Sequence, residues 1–343
     1  MSNQINDDFL AQKIKDLVAE QESAGKFSGA ILVAHNDLPI IRAASGYAIR
    51  PDILRNRPDT KFNLASVTKM LTAVAVMKLV EKGKLNLHSL VSEYNPDLPH
   101  ANQITLHQLL THTAGFDRYW NAAYRSARSE LRTISDYLKL FNNEPLLFEP
   151  GSQFHYGNSG YVIIGALIQQ VSGLSYYEFM KKEIFEPTGM KDTDFFEMDL
   201  PISNCAIGYT RERWDETPDG QLRSNQYIYG VKGSPSEHCF STTDDLFLFF
   251  KALKSYNLIS KPFVDLCFTP HAQDEKPGVN YGYGFHIIDD GIHGRLIGHG
   301  GRGMGADTFA VIYDVGYTVI ILSNFDRPAA RTILNKIADM FIA

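Results

Sequence analysis

Ser66 and Lys69 stand three residues apart in Asn63-Leu64-Ala65-Ser66-Val67-Thr68-Lys69-Met70. In a helix that spacing puts both side chains on one face, one turn apart. A serine hydroxyl is a poor nucleophile until a nearby base takes its proton. A lysine amine can be that base when burial and neighbours lower its pKa. The start of a helix also offers unpaired backbone N–H groups that stabilise a developing oxyanion. By themselves the two residues also fit an N-cap and a snorkelling surface lysine. The elements around them and the remaining polar residues decide between these readings.

The stretch 63–83 predicts one helix, with Gly83 as its stop. Apolar residues at 67, 70, 71, 74 and 77, and again at 76, 79 and 80, make it apolar nearly all round, as in the core of a large domain. Lys69 therefore sits where a charge is expensive. An amphipathic pattern at Phe9, Leu10, Ile14, Leu17 and Val18 predicts a helix over 6–24. The runs 29–34 and 39–44 around Asn36-Asp37 predict a hairpin. Thr105 is expected to cap a short helix ending at Thr113-Ala114-Gly115. Further helices are expected at 133–142, 160–171 and 175–186, the last stopped by Pro187, so that about 95–195 is mainly helical. Residues 200–235 are polar and turn-rich, and a helix through Leu253 begins at a Thr243 or Asp244 cap. Near the C-terminus, 283–288, 295–298, 308–313 and 317–323 read as strands, with turns that include Asp289-Asp290-Gly291, before a last helix from about Ala329. Strands at both chain ends with helices between them imply an α/β (α+β) fold. One antiparallel sheet is built from both termini and flanked by helices, with a mainly helical inserted lobe. The expected division is a sheet domain of 1–95 and 235–343 and a lobe of 96–234, with the active site in the cleft between.

The 343 residues are 44% apolar, ample for a core, and carry a net charge of −6 without a dense Lys/Arg block, which argues against nucleic acid as a partner. Cys205, Cys239 and Cys267 are odd in number and fit neither a zinc site nor a redox pair, so free thiols are expected. His107 and His112, five apart, do not share a helical face, and no metal site or cofactor is expected. No stretch of 18 apolar residues occurs and the first ten residues are polar, so neither a membrane span nor a signal peptide is expected, which favours the cytoplasm.

Two further motifs follow the Ser-Lys pair in order. One is Tyr156-Gly157-Asn158 and the other His299-Gly300-Gly301. The order S-x-x-K, Y-x-N and a [K/H]-[T/G]-G triplet resembles the serine hydrolase family of class C β-lactamases, D,D-peptidases (penicillin-binding proteins) and related esterases. The flanks Phe62-Asn63-Leu64-Ala65, Leu109 to Gly115, Glu149-Pro150-Gly151 and Ser241 to Leu246 agree, and the resemblance covers about residues 25 to 325. It implies a β-lactamase/transpeptidase-like fold and an acyl-enzyme on Ser66, with Lys69 and Tyr156 sharing the proton transfers. A phenol titrates at about 10 in water, so the site must shift Tyr156 or let it share a proton with Lys69. Which of the two is the base stays open at this point. Asn158 would touch both substrate and Lys69. The backbone N–H groups of Ser66 and Arg302 would form the oxyanion hole, while Gly300 and Gly301 would let substrate approach the strand edge.

Three features depart from the family pattern. The triplet opens on His299 where many members carry Lys, and a histidine, with a reference pKa of about 6.5, is largely neutral at pH 7. Gly157 stands where Ser is common. The segment Gly233 to Phe240 lacks an expected glycine run. The expected function is thus a metal-independent serine hydrolase of small esters, amides, peptides or β-lactams. His299 tilts the expectation to an esterase or D-amino-acid peptidase/amidase over a β-lactamase. A penicillin-recognising sensor that acylates without turnover is the alternative.

Overall fold

The computed structural model describes residues 6–51, 54–213, 220–274, 276–289 and 291–342. The expected Asp289-Asp290-Gly291 turn includes Asp290, which lies outside them. Strands β1 (Gly29–His35) and β2 (Leu38–Ser45) form the N-terminal hairpin. Asn36 and Asp37, at φ 48° and 63°, take the two left-handed positions that a tight two-residue turn demands. The other strands of the same sheet are β3 (Ala272–Gln273), β4 (Val279–Tyr281), β5 (His286–Asp289), β6 (Arg295–Gly303), β7 (Ala306–Tyr313) and β8 (Tyr317–Ser323). They join in one antiparallel sheet of order β2-β1-β8-β7-β6-β5-β4-β3. The first strand pairs with the last, Gly29 opposite Ser323 and His35 opposite Tyr317, so both chain ends build the sheet.

Alternation along the strands feeds two cores, because successive side chains point to opposite faces. Ala30, Leu32, Ala310, Ile320 and Leu322 pack on the side of α2 (Thr68–Glu81) and α5 (Thr243–Lys254). Ile31, Val33, Phe309, Val311, Val319 and Ile321 pack on α1 (Asp7–Ser23) and α6 (Ala329–Phe341). Between these outer parts of the chain, α3 (Leu106–Leu110) and α4 (Ser159–Ser172) belong to the helical region, and both contact each other.

Local chemistry moved several expected boundaries. The stretch 63–83 is not one helix: Phe62–Asn63 is a short strand, Ala65–Val67 a 3₁₀ turn, and α2 starts at Thr68. Ala65, at φ 45°, breaks any continuous α-helix running from 63 into α2, and the Asn63 side chain accepts from its N–H at 2.8 Å. Pro187 does not stop the helix at 186. A π turn at Lys181–Phe185 restarts it, and Pro187 occupies the first turn of Glu186–Thr188, where its missing N–H costs nothing. The cap of α5 is Thr242, whose hydroxyl accepts from Asp245 N–H, not Thr243 or Asp244. Strands β3 and β4 and the helix Lys261–Cys267 were not expected. All three cysteines are free and buried. Among the described residues no helix is long and apolar enough to cross a membrane.

Candidate active site

Residues 63–68 are pinned by two distant segments and by a bond of their own. Leu64 N–H donates to Cys239 O at 2.8 Å, and Thr308 Oγ1 of β7 donates to Leu64 O at 2.9 Å. Thr68 Oγ1 donates to Ala65 O at 2.7 Å and accepts from Cys239 N–H. A left-handed Ala costs roughly 1–2 kcal/mol, and this web holds it in place. The sharp turn lifts Ser66 out of the helix proper, into a cleft of about 910 Å³ that it lines with Tyr156, Asn158, His299, Gly300, Gly301 and Arg302.

Lys69 is fully buried. Its Nζ donates to Ser66 Oγ at 3.3 Å, Asn158 Oδ1 at 2.8 Å and Ser236 O at 2.9 Å. Burial lowers its pKa to about 7. The Glu237 carboxylate opposes the fall and the Arg118 guanidinium adds to it. The Nζ also lies 4.8 Å from the centre of the Tyr156 ring. Burial pushes the Tyr156 phenol up, and the nearby Ser66 side chain offsets only part of that. The Tyr156 hydroxyl is buried and, among the described residues, has no hydrogen bond of normal geometry. In the resting protein the phenol therefore keeps its proton while the amine is poised to lose one.

Tyr156 and Asn158 are carried on the segment that enters α4. Gly157 between them is required: a Cβ there would lie 2.6 Å from Phe116 O and 3.0 Å from Asp117 O. The loss of the common serine at this position thus has a steric reason. Its N–H donates to His112 Nδ1 at 3.4 Å, and the His112 ring packs 4.4 Å from that of Tyr156. Desolvation, reinforced by the Lys69 charge, holds His112 well below its usual value.

The triplet lies inside β6, on a stretch with one free edge. Pairing with β5 ends at Gly298, opposite His286, while pairing with β7 continues to Gly303, opposite Ala306. Residues 299–303 therefore present an unpaired edge beside Ser66. Gly301 lets that edge close on the nucleophile, since a Cβ there would stand 2.3 Å from Leu64 O. The His299 ring is buried and both nitrogens are engaged. Nδ1–H donates to Gly300 O at 2.6 Å, which leaves Nε2 to accept from the Tyr281 hydroxyl at 3.1 Å. Desolvation and the charges of His286 and Lys69 keep it neutral, well below its usual pKa. Arg302 turns its side chain outward to Glu212, 3.1 Å away. Both residues line the cleft, and the Arg302 side chain is committed to that ion pair.

The structure adds a residue that sequence reasoning passed over. Glu237, buried, accepts from Tyr119 Oη at 2.5 Å and Trp120 Nε1 at 2.7 Å. It follows Ser236, whose carbonyl holds Lys69. The only signal in the sequence was an acid inside the segment 233–240 that departs from the family pattern.

With this geometry in place, three comparisons bear on the chain. The family model described as Beta-lactamase matches residues 10–342. Penicillin-binding protein 4* of Bacillus subtilis is 31% identical over 311 residues, covering 87% of this chain and 68% of that relative. The chain spans about half (47%) of Staphylococcus aureus protein flp, which is 28% identical to it. Among solved structures, a penicillin-binding protein of Bacillus halodurans superposes with a TM-score of 0.85 at 29% identity, covering 94% of this chain and 98% of that one.

Proposed function

The chain belongs to the Beta-lactamase family, within the serine hydrolase superfamily, and from that premise we propose that it hydrolyses a small ester or amide through an acyl-enzyme on Ser66. The carrying observation is the Lys69 amine, 3.3 Å from Ser66 Oγ with its pKa lowered to about 7. Ser66 Oγ attacks the substrate carbonyl while its proton passes to neutral Lys69 Nζ. The oxyanion is taken by the N–H groups of Ser66 and Arg302, brought together by the close approach that Gly301 permits. Tyr156, still protonated, gives its proton to the leaving group and is reprotonated from Lys69. A water then attacks the acyl carbonyl, its proton returns through the same pair to Ser66 Oγ, and the acid is released. In this scheme Lys69 is the base of acylation and Tyr156 the acid, because burial separates their pKa values in opposite directions. Asn158 holds Lys69 and faces the substrate. The cleft is read as lying between a sheet part (1–95 and 235–343) and a mainly helical lobe (96–234).

Within this class an esterase or amidase is favoured over a β-lactamase. His299, neutral and with both nitrogens engaged, supplies no fixed cation at the triplet. Steady-state turnover of a p-nitrophenyl ester and a chromogenic cephalosporin by wild type and Ser66→Ala tests the assignment. Ester turnover that needs Ser66 and exceeds cephalosporin turnover supports it. Faster cephalosporin hydrolysis reverses the preference, and a burst of one equivalent without steady state makes the protein an acylating sensor.

A further inference from the structure

Five cations line the cleft: Arg327 and Arg331 stand by the Asp307 carboxylate, and the other three differ in what they face. Arg302 is tied to Glu212. Lys276 follows Asp274, and its charge bears on His286. Arg118 stands on the opposite wall. The segment that carries it is pressed onto the Tyr156-Gly157-Asn158 motif: Ser159 N–H donates to Asp117 O at 3.4 Å, and Gly157 has no room for a side chain against Phe116 O and Asp117 O. The neighbouring Asp117 carboxylate is taken up by His155, 3.1 Å away, and by the Arg118 amide at 2.7 Å. The Arg118 guanidinium itself is exposed in the cleft with no hydrogen bond or ion pair among the described residues. Trp120, two residues on, adds an aromatic face to the same wall.

We propose that Arg118 is the residue that selects substrate charge, holding a carboxylate of the ester or amide that acylates Ser66. The inference rests on the hydrolase reading above. It assigns the anion-binding role to the lobe wall, since His299 on the sheet wall has no free nitrogen and Arg302 faces Glu212. Guanidinium is suited to the task because its fixed charge and planar donors match a carboxylate. The same guanidinium lowers both Lys69 and Tyr156, so its field reaches the reacting groups.

The test compares kcat/KM for three esters on wild type, Arg118→Ala and Arg118→Lys. Phenyl acetate is neutral, phenyl hydrogen glutarate carries its carboxylate on the acyl side, and 3-carboxyphenyl acetate carries it on the leaving group. The ratio of anionic to neutral kcat/KM is expected to fall about tenfold in Arg118→Ala, the worth of one charge-assisted hydrogen bond, for whichever anionic ester the site prefers. Arg118→Lys is expected to restore part of that ratio, and added salt to erode it in wild type. The responding ester shows on which side of the scissile bond the anion sits. Equal ratios in wild type and Arg118→Ala for both anionic esters, with turnover still dependent on Ser66, overturn the role of Arg118 alone. Turnover that survives in Ser66→Ala overturns the hydrolase reading and this inference together.

Discussion

Substitution of Gly301 by Ala asks whether the approach of β6 to the nucleophile is what builds the site. A Cβ at this position would lie 2.3 Å from Leu64 O, 2.3 Å from Thr308 Oγ1 and 3.0 Å from Ala65 Cβ, where ordinary contact begins at 3.4 Å. None of these is the free end of a flexible chain. Leu64 O is backbone and already accepts from Thr308 at 2.9 Å, and Thr308 is fixed in β7. Relief therefore requires β6 and residues 64–65 to part by roughly 1 Å, which carries the Arg302 N–H away from the Ser66 N–H. A misplacement of that size costs about 10²-fold, and one oxyanion donor is worth about 10²–10³-fold in kcat. The expected result in a p-nitrophenyl ester assay is thus a fall of about 10²-fold in kcat. Urea denaturation should show a loss of about 1–3 kcal/mol from overpacking. Activity within about threefold of wild type at unchanged stability would refute the reasoning, because the strand could then yield without disturbing Ser66.

Other outcomes follow from the same geometry. For a neutral ester, kcat/KM should rise as pH passes upward through about 7, since Lys69 is a cation below that point and a free base above it. A flat profile between pH 6 and 8 would contradict the role given to Lys69. Glu237→Gln removes the charge that holds the Lys69 pKa up, so the same limb should move to lower pH while Tyr119 and Trp120 keep an oxygen to donate to. Tyr156→Phe deletes a buried hydroxyl whose one near partner, the Ser66 side chain, makes no hydrogen bond of normal geometry with it. It should lower kcat by about 10²–10³-fold yet leave stability unchanged or raise it by up to about 1–3 kcal/mol, read from paired turnover and denaturation curves.

The fold was legible where side-chain period and turn chemistry agree. Strand β8 follows from a short β-branched apolar run, buried on both faces, and the Asn36-Asp37 turn from residues that tolerate positive φ. The union of both chain ends in one sheet followed from strands at the two termini. Ser66 and Lys69 could be paired because helical spacing joins them even across the change from 3₁₀ turn to α-helix. The left-handed Ala65 could not be foreseen, since an alanine carries no local signal for φ 45°. It is imposed by Thr308, Cys239 and Asn63, two of which come from distant segments. The same holds for His299, which reads as a substrate ligand in the sequence. Only the fold brings Tyr281 to its Nε2 and turns its Nδ1 onto Gly300 O. Arg302 stands next to the triplet in sequence, but the twist of a strand sends its side chain to Glu212. Glu237 was invisible for a related reason: its donors, Tyr119 and Trp120, lie more than a hundred residues away.

The central claim, that Ser66 becomes acylated with Lys69 as its base, is tested most directly by intact-protein mass spectrometry after brief exposure to an activated ester. Wild type should gain one acyl group, Ser66→Ala none, and the fraction acylated in a fixed time should climb as pH rises through about 7, following Lys69. An adduct of equal size on Ser66→Ala, or acylation of wild type that ignores pH across that range, would contradict the account.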